Sequence, residues 1–208
     1  MTMARKKIPL LVLVSAASGA GKTTLVREVL AARPDMQRAV TCTTRPPRPG
    51  EQDGVDYYFL TAERFARLLA AGKFIEHAKV YGYDYGLLRA EVIKKLRSGT
   101  DVLVNVDVQG AATIRGIAAR DPELQRSLIT IFLSPPSLEL LAQRLRKRGT
   151  DSEPVIARRL RAAKREIKAW RHFDYLIITN TVELDRQHAL AIIESEKMRC
   201  SRTKAPAI

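Results

Sequence analysis

Short apolar runs alternate with longer segments of helical periodicity along most of the chain. Four runs rich in leucine and β-branched residues predict buried strands, and the segments between them place apolar residues on one helical face. Strands are predicted over 10–14, 101–107, 128–133 and 173–180, and helices over 25–33, 61–72, 87–97, 111–120, 155–170, 183–198 and after Ser137. This alternation predicts a three-layer α/β/α fold with a parallel central sheet.

The first strand leads directly into a stretch of small residues and then into the first helix. The stretch reads Ala16, Ala17, Ser18, Gly19, Ala20, Gly21, Lys22, Thr23, Thr24. Small residues let backbone N–H groups close around phosphate oxygens, Lys22 supplies a cation for the β/γ-phosphates, and the Thr23 hydroxyl is placed to bind Mg²⁺. The order of strand, loop and helix therefore predicts an ATP-type phosphate-binding loop.

One position of this loop departs from the usual pattern G-x-x-x-x-G-K-[ST]. Ala16 stands where the pattern has glycine. Alanine is tolerated there if φ is negative and is strained if φ is positive. The basic start of the chain and the small residues after position 14 also outline a signal peptide, but the apolar run is too short, so we expect no cleavage there.

Composition narrows the class of protein. The 208 residues suit one compact domain, and no stretch has the apolar length of a membrane span. Cys42 and Cys200 are far apart and have no metal-ligand spacing, which favours a reducing, cytoplasmic location.

The chain is strongly basic. Lys and Arg number 36 against 22 Asp and Glu, a formal charge of +14. Such a charge attracts polyanions, including nucleotides. Aromatic residues are only 6% and do not interleave with basic ones, which disfavours nucleic acid as the partner.

A loop rich in arginine and proline follows the first helix. Arg45 and Arg48 flank two prolines that stiffen the backbone, and Tyr57 adds a hydroxyl group. Two guanidinium groups held in this way suit a phosphate monoester, since each can bind it through two hydrogen bonds. An ordinary surface loop is the alternative on these residues alone.

With this loop the sequence becomes similar to a known family. The phosphate loop followed by Thr-Thr-Arg-Pro-Pro-Arg-Pro-Gly-Glu-x-x-Gly-x-Asp-Tyr resembles the guanylate kinases, which are P-loop nucleoside monophosphate kinases. Later motifs continue the resemblance in order, from residue 10 to the last helix. The resemblance implies a single domain with a core (8–36, 90–136, 171–199), a GMP-binding insert (about 37–89) and a helical lid (about 137–170).

The resemblance also implies which side chains contact GMP. Glu76 is placed against the guanine edge, where one carboxylate accepts hydrogen bonds from N1–H and N2–H₂, while adenine would present an acceptor at N1. The implied GMP-binding set is Thr41, Arg45, Arg48, Tyr57, Glu76, Tyr85 and Asp107. Asp107, from an Asp-x-Gln-Gly motif, is implied to lie between guanine and the Mg²⁺–phosphate centre.

Two positions differ from the pattern of the family. Leu87 replaces a Ser or Thr whose hydroxyl lies near the base, and Asn105 often corresponds to an acidic residue. Leucine cannot hydrogen-bond to guanine, so either another group substitutes or the base is bound less tightly.

A basic hairpin before the last strand resembles the lid of these kinases. The motif Arg-Leu-x-x-Arg-Gly-Thr and the later Ile-x-x-Arg-Leu supply Arg144, Arg148 and Arg159. Their implied role is to close on ATP and to stabilise charge on the transferring phosphoryl group. Asn180 is implied to lie beside the adenine of ATP.

The sequence therefore predicts ATP-dependent phosphorylation of GMP by direct transfer, with Mg²⁺ as cofactor, in a monomer or homodimer. The predicted catalytic residues are Lys22, Arg45, Arg144, Arg148 and Arg159. Three alternatives stay open: a non-catalytic guanylate-kinase-like binding module, a kinase for another phosphorylated acceptor such as a ribose bisphosphate, and RNA binding driven by charge.

Overall fold

A parallel five-stranded sheet forms the centre of the molecule. In this computed structural model, residues 8–80, 82–149 and 151–203 are described, except for the side chain of Arg148. The strands are β1 (Leu11–Ala16), β2 (Met36–Arg38), β7 (Asp101–Asn105), β8 (Leu128–Ser134) and β9 (Tyr175–Ile178), in the order β2-β7-β1-β8-β9. All four neighbouring pairs are parallel, which confirms the predicted central sheet.

Helices cover both faces of this sheet. They are α1 (Lys22–Ala32), α2 (Ala62–Ala70), α3 (Arg89–Arg97), α4 (Val108–Ala118), α5 (Pro122–Ser127), α6 (Leu138–Arg148), α7 (Glu153–Glu166) and α8 (Val182–Met198). Residues of β1 alternate between two cores: Val12 and Val14 join a cluster that includes residues of α1, α6, α7 and α8, whereas Leu11 and Leu13 join one with residues of α3, α4 and α5. A strand buried on both faces explains the continuous apolar run.

A second sheet lies between α1 and α3 in the chain. It contains β3 (Cys42–Thr43), β4 (Tyr58–Phe59), β5 (Phe74–Val80) and β6 (Tyr83–Leu88), in the order β4-β3-β6-β5. The β5–β6 pair is antiparallel and contains a bulge, because Phe74 pairs with Leu88 but Glu76 pairs with Leu87. Ile75 is the extra residue and is buried in the core, while Glu76 borders a cavity.

Three sequence-based assignments need correction. Leu87 belongs to β6 and not to a helix, since its pairing with Glu76 outweighs the local helical pattern. The helix predicted over 155–170 ends at Glu166 and tightens into a 3₁₀ helix, Ile167–His172, as helix ends often do. Helix α5 was not predicted, although Asp121 caps it and Pro122 begins it, which are both start signals.

Within the part of the chain that the structure describes, no helix combines the length and the hydropathy needed to span a lipid bilayer.

Candidate active site

The phosphate loop connects the end of β1 to the start of α1. Gly19 and Gly21 have φ values of +85° and +93°, a left-handed conformation that favours glycine. Ala16 is the last residue of β1 and pairs with Leu133, so its backbone is extended and the alanine is unstrained. The loop borders a cavity of about 740 Å³ that opens at the carboxyl end of β1, where ligands of such sheets bind.

Lys22 reaches across to the neighbouring strand. Its Nζ donates a 2.5 Å hydrogen bond to the carbonyl oxygen of Val106, just beyond β7. Burial lowers the pKa of Lys22, and the charges of Asp107 and Glu166 oppose that shift. The cation thus borders the same cavity as Asp107 and Glu166, and both of their charges act on it.

Glu166 is a member of this site that sequence reasoning missed. Its Oε2 accepts a 2.7 Å hydrogen bond from the backbone N–H of Ser18, and the side chain borders the same cavity as Lys22. The two residues are 148 positions apart, so no local pattern connects them. The end of α7 is therefore fastened to an N–H group of the phosphate loop.

Two of the three arginines predicted for the lid, Arg159 and Arg144, border different cavities. Arg159 borders the phosphate-loop cavity and lies 3.3 Å from the carboxylate of Asp151. Arg144 instead donates a 2.8 Å hydrogen bond to Oγ1 of Thr179. The side chain of Arg148, the third predicted member, lies outside the described residues.

Arg144 borders a separate, smaller cavity beside the phosphate loop. This cavity has a volume of about 210 Å³ and is lined by Gly19, Ala20, Gly21, Thr24, Leu25, Arg144, Asn180, Val182 and Asp185. The backbone N–H of Asn180 donates to Oδ1 of Asp185 at 2.8 Å, which fixes the turn after β9. Asn180 thus borders this cavity, and its contact with adenine stays a prediction.

A third cavity lies between the two sheets. It also measures about 210 Å³, which exceeds the roughly 150 Å³ that admits benzene and leaves room for a bicyclic base. Its lining contains Thr41, Tyr57, Glu76, Tyr85 and Asp107 of the predicted GMP set, together with Arg38, Leu87 and Asn105.

Glu76 is one of two acidic residues, with Asp107, on the wall of this cavity. Burial and the nearby charge of Asp107 raise its pKa to about 7. On one side, its strand neighbour Leu87 is buried, with 2% of its surface exposed. On the other side lies Gly110, in the first turn of α4. Glu76 is thus held in surroundings that make an unpaired negative charge costly.

Arg45 is held beside the cavity by a carboxylate that the sequence analysis did not single out. Its Nη2 donates to both oxygens of Glu51, at 2.8 and 2.9 Å, and its guanidinium lies 5.5 Å from the ring centre of Tyr57. The Glu51 carboxylate and the Tyr85 hydroxyl both raise the pKa of Arg45. By contrast, Arg48 is exposed and only its backbone N–H is bonded to Glu51.

Asp107 is shared by two of these cavities. It borders both the phosphate-loop cavity and the cavity that contains Glu76. It is also the N-cap of α4, where Oδ1 accepts a 2.8 Å hydrogen bond from the backbone N–H of Gly110. Two ligands that occupy these cavities would therefore meet at Asp107.

Comparison with known proteins agrees with this geometry. Residues 8–196 match the family model described as guanylate kinase. The chain belongs to the guanylate kinase family.

Individual guanylate kinases are similar over nearly the whole chain. That of Nitrosococcus oceani is 42% identical over 188 residues, covering 90% of this chain and 89% of the relative. That of Syntrophotalea carbinolica is 42% identical over 202 residues, covering 97% and 93%. A crystal structure of the guanylate kinase from Anaplasma phagocytophilum is 29% identical, has a TM-score of 0.72 and covers 96% of this chain and 92% of that one.

Proposed function

We propose that the protein transfers the γ-phosphoryl group of ATP to GMP and thereby forms ADP and GDP. The observation that carries this proposal is the position of Asp107, which borders both a phosphate-loop cavity and a base-sized cavity with a carboxylate on its wall. Membership of the guanylate kinase family supports the choice of substrates.

Glu76 would select the base. Guanine presents two adjacent donors, N1–H and N2–H₂, and an ionised carboxylate accepts both. Adenine would place its N1 acceptor against the carboxylate, and a buried polar group without a partner costs roughly 1–3 kcal/mol. Because Leu87 contributes no hydroxyl, recognition of guanine depends more heavily on Glu76 and Thr41.

The acceptor phosphate would be held by Arg45 together with the hydroxyl groups of Tyr57 and Tyr85. Arg45 is already oriented by Glu51, so little side-chain entropy is lost when phosphate binds. Arg48, which is exposed in this structure, would approach the phosphate only when the loop closes.

The ATP phosphates would lie along the N–H groups of the loop at the start of α1. Lys22 and Arg159 would neutralise the transferring group, and Asn180 and Arg144 would contact the adenosine side. The GMP phosphate is already an anion at neutral pH and attacks in line, so no covalent intermediate is required and the protein acts through positioning and electrostatics.

Mg²⁺ is the proposed cofactor. Among the described residues no cluster of three or more His, Cys, Asp or Glu side chains forms a metal cage. Mg²⁺ in phosphoryl-transfer sites is held mainly by phosphate oxygens and water, so it requires no such cluster. Thr23, exposed at the start of α1 and bordering the phosphate-loop cavity, would supply the hydroxyl ligand. Bound Mg²⁺ neutralises charge on the phosphates.

We propose the cytoplasm as the place of this activity, since both cysteines are free thiols and one of them is exposed.

An assay of ADP release tests the proposed function. Purified protein is given ATP and Mg²⁺ with GMP, AMP, CMP, UMP or no acceptor, and Lys22→Ala and Glu76→Gln are measured in parallel. We expect turnover with GMP only, its loss in Lys22→Ala and weaker selection of the base in Glu76→Gln. Lys73→Ala and Glu63→Gln, both at exposed positions, are the matched controls. Absence of GMP phosphorylation by folded protein would overturn the proposal and favour a binding module or another acceptor.

A further inference from the structure

Helix α4 approaches Glu76 more closely than a helix with a side chain at that point would allow. A Cβ atom at position 110 would lie 3.0 Å from Cγ of Glu76, 3.1 Å from Cδ and 3.1 Å from Oε1. Such contacts are tighter than normal van der Waals separations, so the carboxyl group would have to move by a few tenths of an ångström. The absence of a side chain at Gly110 therefore sets how close the carboxylate lies to the helix.

The surroundings of Glu76 restrict how that movement could be absorbed. Leu87, its partner across the β5–β6 pair, is 2% exposed, and Ile75 in the bulge is 1% exposed. Gly110 itself is buried, and its N–H is fixed by Asp107. The backbone on both sides is thus held by core packing, so displacement would fall mainly on the carboxyl group.

We propose that Gly110 is a specificity-determining position, which acts by positioning the Glu76 carboxylate for the purine. This inference rests on the proposed function, in which Glu76 accepts hydrogen bonds from N1–H and N2–H₂ of guanine. Two parallel hydrogen bonds require closer alignment than one. A small displacement should therefore reduce the advantage of guanine over hypoxanthine, which has N1–H but lacks the 2-amino group.

The test compares GMP and IMP as acceptors for the wild type and Gly110→Ala. We expect Gly110→Ala to lower kcat/KM for GMP by about 10-fold, with a smaller loss for IMP, so that the GMP/IMP ratio falls. The KM for ATP should stay within about twofold of the wild type, because the ATP side does not depend on Glu76.

Gly116→Ala is the matched control. Gly116 lies in the same helix, and a Cβ atom there would meet nothing within 4 Å. We expect its kcat/KM values for both acceptors to equal those of the wild type. The melting temperatures of both variants separate a local displacement from a general loss of folding.

A second pair of variants tests the contact itself. Alanine at position 76 has neither the Cγ atom nor the carboxyl group that a Cβ atom at position 110 would meet. We expect Glu76→Ala and the double variant Glu76→Ala/Gly110→Ala to have equal kcat/KM for GMP, because Gly110→Ala acts only through Glu76. This comparison remains informative if Gly110→Ala alone folds poorly, since the truncated side chain removes the collision.

Three results would overturn the inference: an unchanged GMP/IMP ratio in folded Gly110→Ala, an equal loss for GMP and IMP, or a further loss in the double variant. In each case GMP turnover by the wild type would still stand, so the proposed function would survive. A wild type that does not phosphorylate GMP would instead overturn both.

Discussion

The Glu166 carboxylate accepts a hydrogen bond from the backbone N–H of Ser18 and so joins the end of α7 to the phosphate loop. A carboxylate at this place puts a negative charge in the cavity proposed for the ATP phosphates. Two unit charges 4 Å apart interact by about 1 kcal/mol even in water, which corresponds to a several-fold change in affinity. We therefore expect Glu166 to oppose ATP binding while it holds the end of α7 against the phosphate loop.

Neutralising this charge should strengthen ATP binding. We expect Glu166→Gln, which keeps an acceptor oxygen, to lower the Kd of ATP roughly 3- to 10-fold in calorimetric titrations without GMP. Glu153→Gln at the other end of α7 is the control, since Glu153 is exposed and pairs with Arg146. Weaker ATP binding by Glu166→Gln would show that the carboxylate shapes the loop for ATP.

GMP binding should depend on pH through Glu76. Its raised pKa, about 7, means that half of the free protein carries a proton there at neutral pH, whereas guanine requires the ionised form. We expect the KM for GMP to fall as the pH rises from about 6 to about 8, with proton release when GMP binds. The GMP phosphate titrates near pH 6 as well, so Glu76→Gln, which retains only that titration, is the comparison. Equal proton release in both proteins would contradict the assignment.

Glu76 should also make the stability of the ligand-free protein depend on pH, but stability should fall as the pH rises, whereas GMP binding should improve. Because the pKa of Glu76 is higher in the folded than in the unfolded chain, the folded state binds more protons between about pH 4.5 and 7. This contribution to stability is complete below the pKa of the unfolded chain, 4.5, and is lost as the pH rises through the pKa of the folded protein, about 7. We expect the urea midpoint of the ligand-free protein to fall over this range, and to fall less in Glu76→Gln.

Lys22 should matter for catalysis far more than for folding. We expect Lys22→Met to lower kcat by roughly 10²- to 10³-fold, because a cation is lost where negative charge develops. Lys22→Arg should not restore activity, since a planar guanidinium does not fit the place of an ammonium group bonded to the carbonyl of Val106. Melting temperatures close to the wild type would attribute the loss to chemistry. A change of kcat of less than tenfold in Lys22→Met would show that Lys22 does not stabilise the transferring phosphoryl group.

Arg144 and Arg159 should have different kinetic effects. Arg144 is bonded to Thr179 beside the proposed adenine cavity, whereas Arg159 borders the phosphate-loop cavity. We expect Arg144→Ala mainly to raise the KM for ATP and Arg159→Ala mainly to lower kcat. Steady-state kinetics with varied ATP at saturating GMP separates the two. The reverse pattern would mean that the arginines exchange places when the lid closes.

A buried carboxylate at the opposite end of the sheet should carry much of the stability. Asp101 at the start of β7 is 2% exposed, accepts a 2.9 Å hydrogen bond from the backbone N–H of Leu10, and contacts Lys197 and Arg33. Removing it leaves two cations without this partner, and breaking such a buried pair costs about 3–5 kcal/mol.

Urea unfolding of Asp101→Asn measures this cost. Asp35→Asn is the matched control, because Asp35 contacts the same two cations but its side chain is 56% exposed. We expect its effect to be only about 0–1 kcal/mol. Equal effects of the two substitutions would contradict the importance of burial at Asp101.

Some features could be predicted because they are local in the chain. Four of the five strands of the central sheet contain short apolar runs, whereas β2 (Met36–Arg38) has none and was not predicted. The phosphate loop depends on small residues directly before Lys22. Even the missed helix α5 has a local signal in Asp121 and Pro122. Local sequence could not predict that Leu87 is a strand residue, because this depends on its pairing with Glu76 in the neighbouring strand.

The sequence by itself therefore determined the fold class, the phosphate loop and the family, because periodicity, turn residues and ordered motifs act over a few neighbouring positions. Tertiary structure alone decided that Glu166 meets Ser18, that Gly110 makes room for Glu76, that Arg144 turns towards Thr179 and that Asp107 borders two cavities. Most of these relationships join residues that are distant in the chain. They arise only when packed helices and strands bring side chains together, and no local pattern encodes that packing.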